Sequence, residues 1–181
     1  MINYYQEGVC LKGDKVILRD MEYTDCLAIH QNIYSNKDVL KYYIDEYESE
    51  PDQQRFQKFV DSYQKHSRYL LSIVEKSTGK VIGVMLQCNT PNPYFHEVEV
   101  GYAIGESYWN NGYTTEALQL FMNFLFSQGV HRVFCLCIRE NGASARVMEK
   151  CGMQLEGLSK ERIYYNDHYW DVFTYSRING D

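Results

Sequence analysis

The chain has 181 residues and no stretch that would carry it out of a cell or into a bilayer. Its opening residues, MINYYQEGVC, lack a basic segment followed by an apolar one, so they do not read as a secretory signal. No apolar run approaches the roughly 20 residues that span a membrane. Both absences point to a soluble protein with no membrane partner. The six cysteines (Cys10, Cys26, Cys88, Cys135, Cys137 and Cys151) contain no C-x-x-C pair. Reduced core thiols, and with them a cytoplasmic setting, are the favoured reading. Basic residues are also in short supply. Lys and Arg number 18 against 24 Asp and Glu, for a net charge of −6. That deficit argues against a nucleic-acid partner, since phosphate neutralisation needs a cationic surplus on some face. An acidic surface suits a cationic acceptor such as an amine, and solubility alone accounts for it equally well.

Several familiar motifs are missing too. No G-x-G-x-x-G is present, which speaks against a Rossmann dinucleotide site. Gly8 and Gly13 have the spacing of a P-loop, but Asp14 stands where that loop requires Lys. His30, His66, His131 and His168 show no metal spacing, and His96-Glu97-Val98-Glu99 is not H-E-x-x-H, so no metal is expected. Repeats, low-complexity tracts and linker-like stretches are absent, so one domain is expected over residues 1–181.

What is there is ordinary globular patterning with an excess of tyrosine, 17 in all. Val16–Leu18 reads as a short strand, and Asp20 or Thr24 as the N-cap of a first helix that buries Leu27, Ile33 and Tyr34. Pro51 takes the place of a first helical residue, and Phe56, Phe59, Val60 and Tyr63 follow at helical spacing. Tyr69–Val74 and Val81–Gln87 flank the turn KSTGK as a hairpin. HEVEVGYAI is a further strand, with Val98, Val100 and Tyr102 on one face and Glu97, Glu99, Gly101 and Ala103 on the other. A third helix carries Ala117, Leu120, Phe121, Phe124 and Leu125 on one stripe and stops at Gly129. RVFCLCI is apolar almost throughout, as a central covered strand should be. Asn141 caps a fourth helix that ends at Gly152, and two strands follow around Asn166–Asp167. This order implies a mixed sheet covered by helices.

The chemistry concentrates at NNGYTTEA, residues 110–117, where a strand passes into a helix. The first turn of a helix has unpaired N–H groups and a partial positive charge, which suits phosphate. Gly112 lets the backbone approach closely, Thr114 and Thr115 add hydroxyls, and Glu116 suits the helix dipole. An ordinary Asn-Gly turn is the competing reading.

A second element decides between them. Trp109, Gly112, Tyr113, Thr115, Glu116 and Ala117, then Asn141, Ser144, Arg146, Val147, Glu149, Lys150, Gly152, Glu156 and Gly157, together resemble the GNAT (Gcn5-related N-acetyltransferase) superfamily in its RimJ/RimL-like branch. Glu99-Val100-Gly101-Tyr102 resembles the family's E-I-G-Y strand. The resemblance covers nearly the whole chain. It implies an α/β (α+β) fold: a mixed, largely antiparallel sheet of about seven strands flanked by about four helices, splayed between the fourth and fifth strands.

By that resemblance the co-substrate is acetyl-CoA. Trp109, Asn110, Asn111, Gly112, Tyr113, Thr114 and Thr115 would hold its pyrophosphate. The strand edge at Val98, Val100 and Gly101 would meet its pantetheine arm, together with Asn141, and Ser144 and Arg146 would complete the set. Arg139 and Lys150 are further candidates for the phosphates, with ordinary solvated basic residues as the alternative. A backbone N–H around Val100 or Gly101 would steady the oxyanion. Glu99 would be the general base, with Glu97 and His96 as alternatives. Ser144 would serve the leaving thiolate, because Met148 stands where many members have a proton-donating Tyr. Thr114 for a smaller residue and Met153 for Phe are two further departures.

The expected activity is direct acetyl transfer in a ternary complex to a primary amine, a protein or peptide N-terminus in the first instance. The alternatives are a small amine (polyamine, amino acid or antibiotic) and a non-catalytic CoA-binding module. KYYIDEYES and KERIYYNDHYW are the expected acceptor segments, where Asp45, Glu46, Glu48 and Asp167 would suit a cation. The resemblance also allows a homodimer.

Overall fold

A computed structural model describes residues 5–90, 92 and 94–180. Residues 1–4 of the N-terminal stretch, Pro91 and Pro93 of the NTPNPYF loop, and Asp181 lie outside the described residues. The strands are β1 (Cys10–Lys12), β2 (Val16–Asp20), β3 (Leu70–Glu75), β4 (Val81–Gln87), β5 (Glu97–Ile104), β6 (Arg132–Ile138), β7 (Gln154–Tyr165) and β8 (His168–Ile178). They form one sheet in the order β1-β2-β3-β4-β5-β6-β8-β7. Every neighbouring pair is antiparallel except β5–β6, which is parallel. The strand absent from the sequence reading is β1. Three residues carry no readable alternation, and β1 exists because Gly13 turns the chain back onto β2.

Helices cover both faces. On one side lie α1 (Cys26–Ile29), continued by a π-helical turn over His30–Tyr34, then α2 (Lys37–Leu40) and α3 (Gln53–Lys65). They bury Ile29, Ile33, Phe56 and Val60 against Leu70, Val84 and Leu86. On the other side, α4 (Tyr113–Ser127) and α5 (Gly142–Lys150) cover Val98, Val100, Val133 and Cys135. Burial on both faces is why β4 is buried at every residue and reads as a continuous apolar run.

Some local expectations are corrected. Leu27 is 55% exposed, because the first helix is a short segment seated on Cys26 and Ile29. Neither Asp20 nor Thr24 caps it. Glu22 and Asp25 form a capping box there, while the Asp20 carboxylate accepts from the N–H groups of Gly8 and Val9. Asp52 caps α3 by accepting from Arg55 N, which leaves Pro51 just outside the helix. The buried stripe of α4 is Ala117, Leu118, Phe121, Met122 and Leu125, whereas Leu120 and Phe124 are half-buried. The helix is rotated because the apolar residues nearly encircle it, so the stripe had no unique phase.

Asp25 ties the layers together. Only 5% exposed, it accepts from Arg19 at 2.7 Å through both oxygens, from Ser72 Oγ of β3 at 2.7 Å and from Glu22 N at 3.0 Å. Burial would raise its carboxyl, but these donors, led by Arg19, outweigh burial and hold it below the usual carboxylate range. Its contribution to stability is therefore present above the unfolded value of about 3.9 and fades as pH falls through the lower folded value. Asp25→Ala, which strands Arg19 and Ser72, is expected to lower unfolding stability by about 3–5 kcal/mol. Urea denaturation checks this, and a loss under about 1 kcal/mol would contradict the role.

Candidate active site

The parallel contact between β5 and β6 lasts for three residue pairs, Glu97↔Arg132, Val98↔Val133 and Glu99↔Phe134. An ion pair between Glu97 and Arg132 pins the joined end, and Arg132 also reaches Glu156 at 2.5 Å. Beyond Glu99 the strands part. β5 stays with β4 as far as the Gly83↔Ile104 pair, and β6 stays with β8 as far as Ile138↔Val172. Glu99 uses both backbone groups on the β4 side, its N–H donating to Asn89 Oδ1 at 2.8 Å and its carbonyl accepting from Cys88 N at 2.8 Å. Gly105 N likewise donates to Ile82 O at 2.9 Å.

Strand alternation turns the backbone groups of Val100 and Tyr102 toward β6. Because the Glu99↔Phe134 pairing takes up the Val100 N–H, the gap opens at the Val100 carbonyl and at the N–H and C=O of Tyr102. Of the expected strand positions, Val98 is taken up in the paired end opposite Val133, and Gly101 bonds toward β4 opposite Leu86. The gap thus exposes Val100, and Tyr102 joins it in place of Val98 and Gly101. Only the alternation, counted from the last paired residue, could have shown this.

The mouth of the gap is the β5–α4 connection. Asn110 (φ 61°) and Gly112 (φ 80°) are left-handed, and the chain reverses through them into α4. The first intrahelical bond runs from Glu116 N to Gly112 O at 3.0 Å. The N–H groups of Tyr113, Thr114 and Thr115 therefore have no helical carbonyl to reach, and such a cluster of donors is suited to an anion. Trp109 anchors the loop through Nε1 to Ile104 O at 3.0 Å, and Asn111 Nδ2 donates to Trp109 O at 3.0 Å. The Tyr113 phenol points away, donating to Glu75 Oε1 at 2.5 Å.

Glu116 does something the helix-dipole reading missed. Its carboxylate accepts from Lys15 N at 2.9 and 3.2 Å and from Val16 N at 3.4 Å, clasping the β1–β2 turn to the start of α4. A Cβ on Gly13 would sit 1.9 Å from Glu116 Oε1, so a larger residue there would displace the carboxylate from the clasp. The clasp brings Lys15 Nζ to 2.9 Å from Asn111 O, placing a cation at the loop. Sequence reading could not find Lys15, because 96 positions along the chain separate it from Asn111.

Across the gap, Asn141 Oδ1 accepts from Ser144 N at 3.1 Å and so caps α5. Ser144 Oγ lies 2.9 Å from the Tyr102 hydroxyl. Met148 is 1% exposed and belongs to the core. Arg146 is exposed beside Gly142, Arg139 pairs with Asp171 at 3.4 Å and Lys150 is exposed.

On the opposite face of β5, Glu99 is half-buried. Burial raises its carboxyl above the ordinary range and Glu97 adds to this, with Arg162 partly offsetting them. Arg162 lies within a bulge in β7, where the register to β8 shifts between Ser159 and Ile163 and Glu161 has φ 49°. Arg68, also unsuspected, donates to Cys88 O at 3.2 Å and stacks 4.2 Å over the Tyr63 ring. The two expected acceptor segments do meet, through Tyr165 OH to Asp45 O at 2.9 Å and the Tyr42–Trp170 ring pair. Of the acids expected to suit a cation, Asp45 and Glu48 are held by Arg55 instead, whereas Glu46 is exposed and Asp167 accepts from Tyr164 OH at 3.0 Å.

Comparison with known proteins agrees with this geometry. The family description "Acetyltransferase (GNAT) domain" matches residues 15–154. The chain is 30% identical over 171 residues to YoaA of Bacillus subtilis (strain 168), an uncharacterised N-acetyltransferase, covering 93% of this chain and 96% of that one. A GNAT-family acetyltransferase structure from Bacillus anthracis superimposes with a TM-score of 0.83 at 26% identity, covering 96% of this chain and all of that one. RimL, a ribosomal L7/L12 alpha-N-protein acetyltransferase solved in complex with coenzyme A, gives a TM-score of 0.84 at 25% identity, with 96% of this chain and 100% of that chain covered. With the splay, the glycine cradle and the matched family region together, the chain belongs to the GNAT acetyltransferases and is an acetyl-CoA-dependent N-acetyltransferase.

Proposed function

We propose that the chain transfers acetyl from acetyl-CoA directly to a primary amine held on the Glu99 side of β5, and that this amine is the N-terminus of a protein or peptide. The observation that carries the reading is the position of Glu99: it is the last β5 residue paired with β6, and the chain beyond it opens. A carboxylate at that point stands beside the strand edge where an acyl group would lie. The acceptor class rests on similarity to RimL, whose substrate is a ribosomal protein α-amine.

The residues present suit acetyl-CoA as substrate. The N–H groups at 113–115, with Lys15 beside them, form a cationic cradle for the pyrophosphate. Thr114 and Thr115 add hydroxyls there, and Arg146 adds charge near the start of α5. The outward groups of Val100 and Tyr102 offer strand-like bonds to the amide-bearing pantetheine arm, with Asn141 facing them. The Tyr102 N–H, turned away from β4 and beyond the last β6 pair, is the donor for the oxyanion. Glu99 takes the amine proton, directly or through water, as the amine attacks. Ser144 hydrogen-bonds the departing thiolate.

A covalent acetyl-cysteine route finds no support in the thiols. Burial pushes Cys88 up to about 12 and Cys137 and Cys151 up to about 11, and it raises Cys135 and Cys26 as well. Such thiols are poor nucleophiles at neutral pH. Cys10 is the exposed cysteine. Titration of the native protein with a thiol reagent at neutral pH is therefore expected to modify one cysteine promptly, and all six after unfolding. Rapid native modification of Cys88 or Cys137 would contradict this.

Glu99→Gln is expected to lower kcat/KM for peptide acetylation by roughly 10²–10⁴-fold while leaving CoA affinity intact. The base works only when ionised, so the wild-type rate should rise with pH through a value above the ordinary carboxylate range. That limb should vanish in the variant. A release assay for free CoA across pH measures both, and undiminished turnover by Glu99→Gln would reject the assignment.

A further inference from the structure

The Tyr102 phenol reaches across the gap from β5 to α5, and nothing in the proposed reaction yet uses it. It lies 2.9 Å from Ser144 Oγ and 3.3 Å from the Ser144 carbonyl oxygen. Either hydroxyl can donate in the 2.9 Å contact, and the phenol's single proton has Ser144 Oγ as its nearer acceptor and the carbonyl at 3.3 Å as a weaker one. We infer that Tyr102 is a positioning residue for the leaving group, donating to Ser144 Oγ so that the serine's own proton is turned toward the CoA sulfur.

This rests on the proposed direct transfer and adds a residue to it. The electron pair of the amine nitrogen forms the new C–N bond, and the amine proton passes to Glu99. The C–S bond then breaks with its pair on sulfur. Ser144 stabilises that charge by hydrogen bonding and keeps its proton, and the thiolate is protonated from water as CoA departs. Glu99 returns its proton to solvent, so the enzyme ends unchanged.

The surroundings favour a fixed donor over a titrating acid. Burial holds the Tyr102 phenol well above its ordinary value, with the neighbouring thiols of Cys135, Cys137 and Cys151 adding to this. It therefore stays protonated and can orient a neighbour through the whole cycle. A hydroxyl that already receives a hydrogen bond is also the stronger donor. Asn141 fixes the other side of Ser144 by accepting from its backbone N–H at 3.1 Å. Met148 is sealed in the core on the same helix, so α5 offers the sulfur no phenol of its own. The tyrosine reaching this point comes instead from the opposite strand.

The test is a double-mutant cycle on the full chain, using Tyr102→Phe, Ser144→Ala and the pair. Single-turnover acetylation of a peptide N-terminus reads the chemical step, and CoA titration reads binding. Tyr102→Phe keeps the ring that packs against the core. We expect Tyr102→Phe to slow the step by roughly tenfold and Ser144→Ala by roughly tenfold to a hundredfold, the range of one hydrogen bond to a charged group. The CoA dissociation constant should stay within about twofold of wild type, and Tyr102→Phe should have no further effect in the Ser144→Ala background. A wild-type rate in either single variant would overturn the inference. So would an equal tyrosine effect with and without Ser144, or a loss matched by weaker CoA binding, since either marks a packing role. Wild-type protein that acetylates no amine at all would instead overturn the proposed function, and this inference with it.

Discussion

A strand pair that forms at one end and is withheld at the other governs this molecule. β5 and β6 are each fully engaged on their outer sides, by β4 and β8, so neither needs the other to remain a strand. Their shared contact can therefore be cut to three pairs without unfolding the sheet. Backbone groups left over in such a gap demand partners from water or from a ligand. An amide-bearing arm with strand-like spacing is a natural occupant. The gap is also shielded by helices on both faces of the sheet, which strengthens any hydrogen bond made inside it.

Distant clasps hold the two sides of that gap in register. At the joined end, Arg132 binds Glu97 of β5 and Glu156 of β7, so one guanidinium spans the divide. At the open end, Glu116 fastens α4 to the β1–β2 turn and brings Lys15 to the glycine loop. Tyr102 and Ser144 close the distance between β5 and α5. The acids engaged in these clasps are thereby distinguished from Glu99, whose carboxyl burial raises and which has Arg162 only at a distance.

Much of this was legible in the linear sequence, for physical reasons that can be named. Gly112 and Gly152 stand at left-handed positions where the chain enters or leaves a helix, and the helix ends they mark were read correctly. Asn141 followed from capping chemistry, and β6 followed from its apolar run, although its residues alternate between buried and half-buried over most of its length. Where the reading erred, the deciding term was tertiary. The phase of α4 was ambiguous because its apolar residues cover more than one face. Asp45 and Glu48 looked free because Arg55 lies beyond a proline and a helix cap. Lys15 and Arg68 carry no local signal, since each is brought to the site by a partner far along the chain. Gly101 is separated from Val100 and Tyr102 by strand alternation and Val98 by its place in the paired end, and both show only once the last paired residue is known.

The central claim is that the unpaired edge of β5 takes CoA, and amide hydrogen exchange tests it most directly. Without ligand, the Tyr102 amide should exchange faster than those of Gly101 and Ala103, which bond to β4, and than that of Val100, which the last β6 pair takes up. Adding CoA should slow Tyr102 together with the first-turn amides of Thr114 and Thr115, and leave Gly101 and Ala103 largely as they were. Protection at Gly101 with none at Tyr102, or no change anywhere along β5 while CoA binds, would contradict the account.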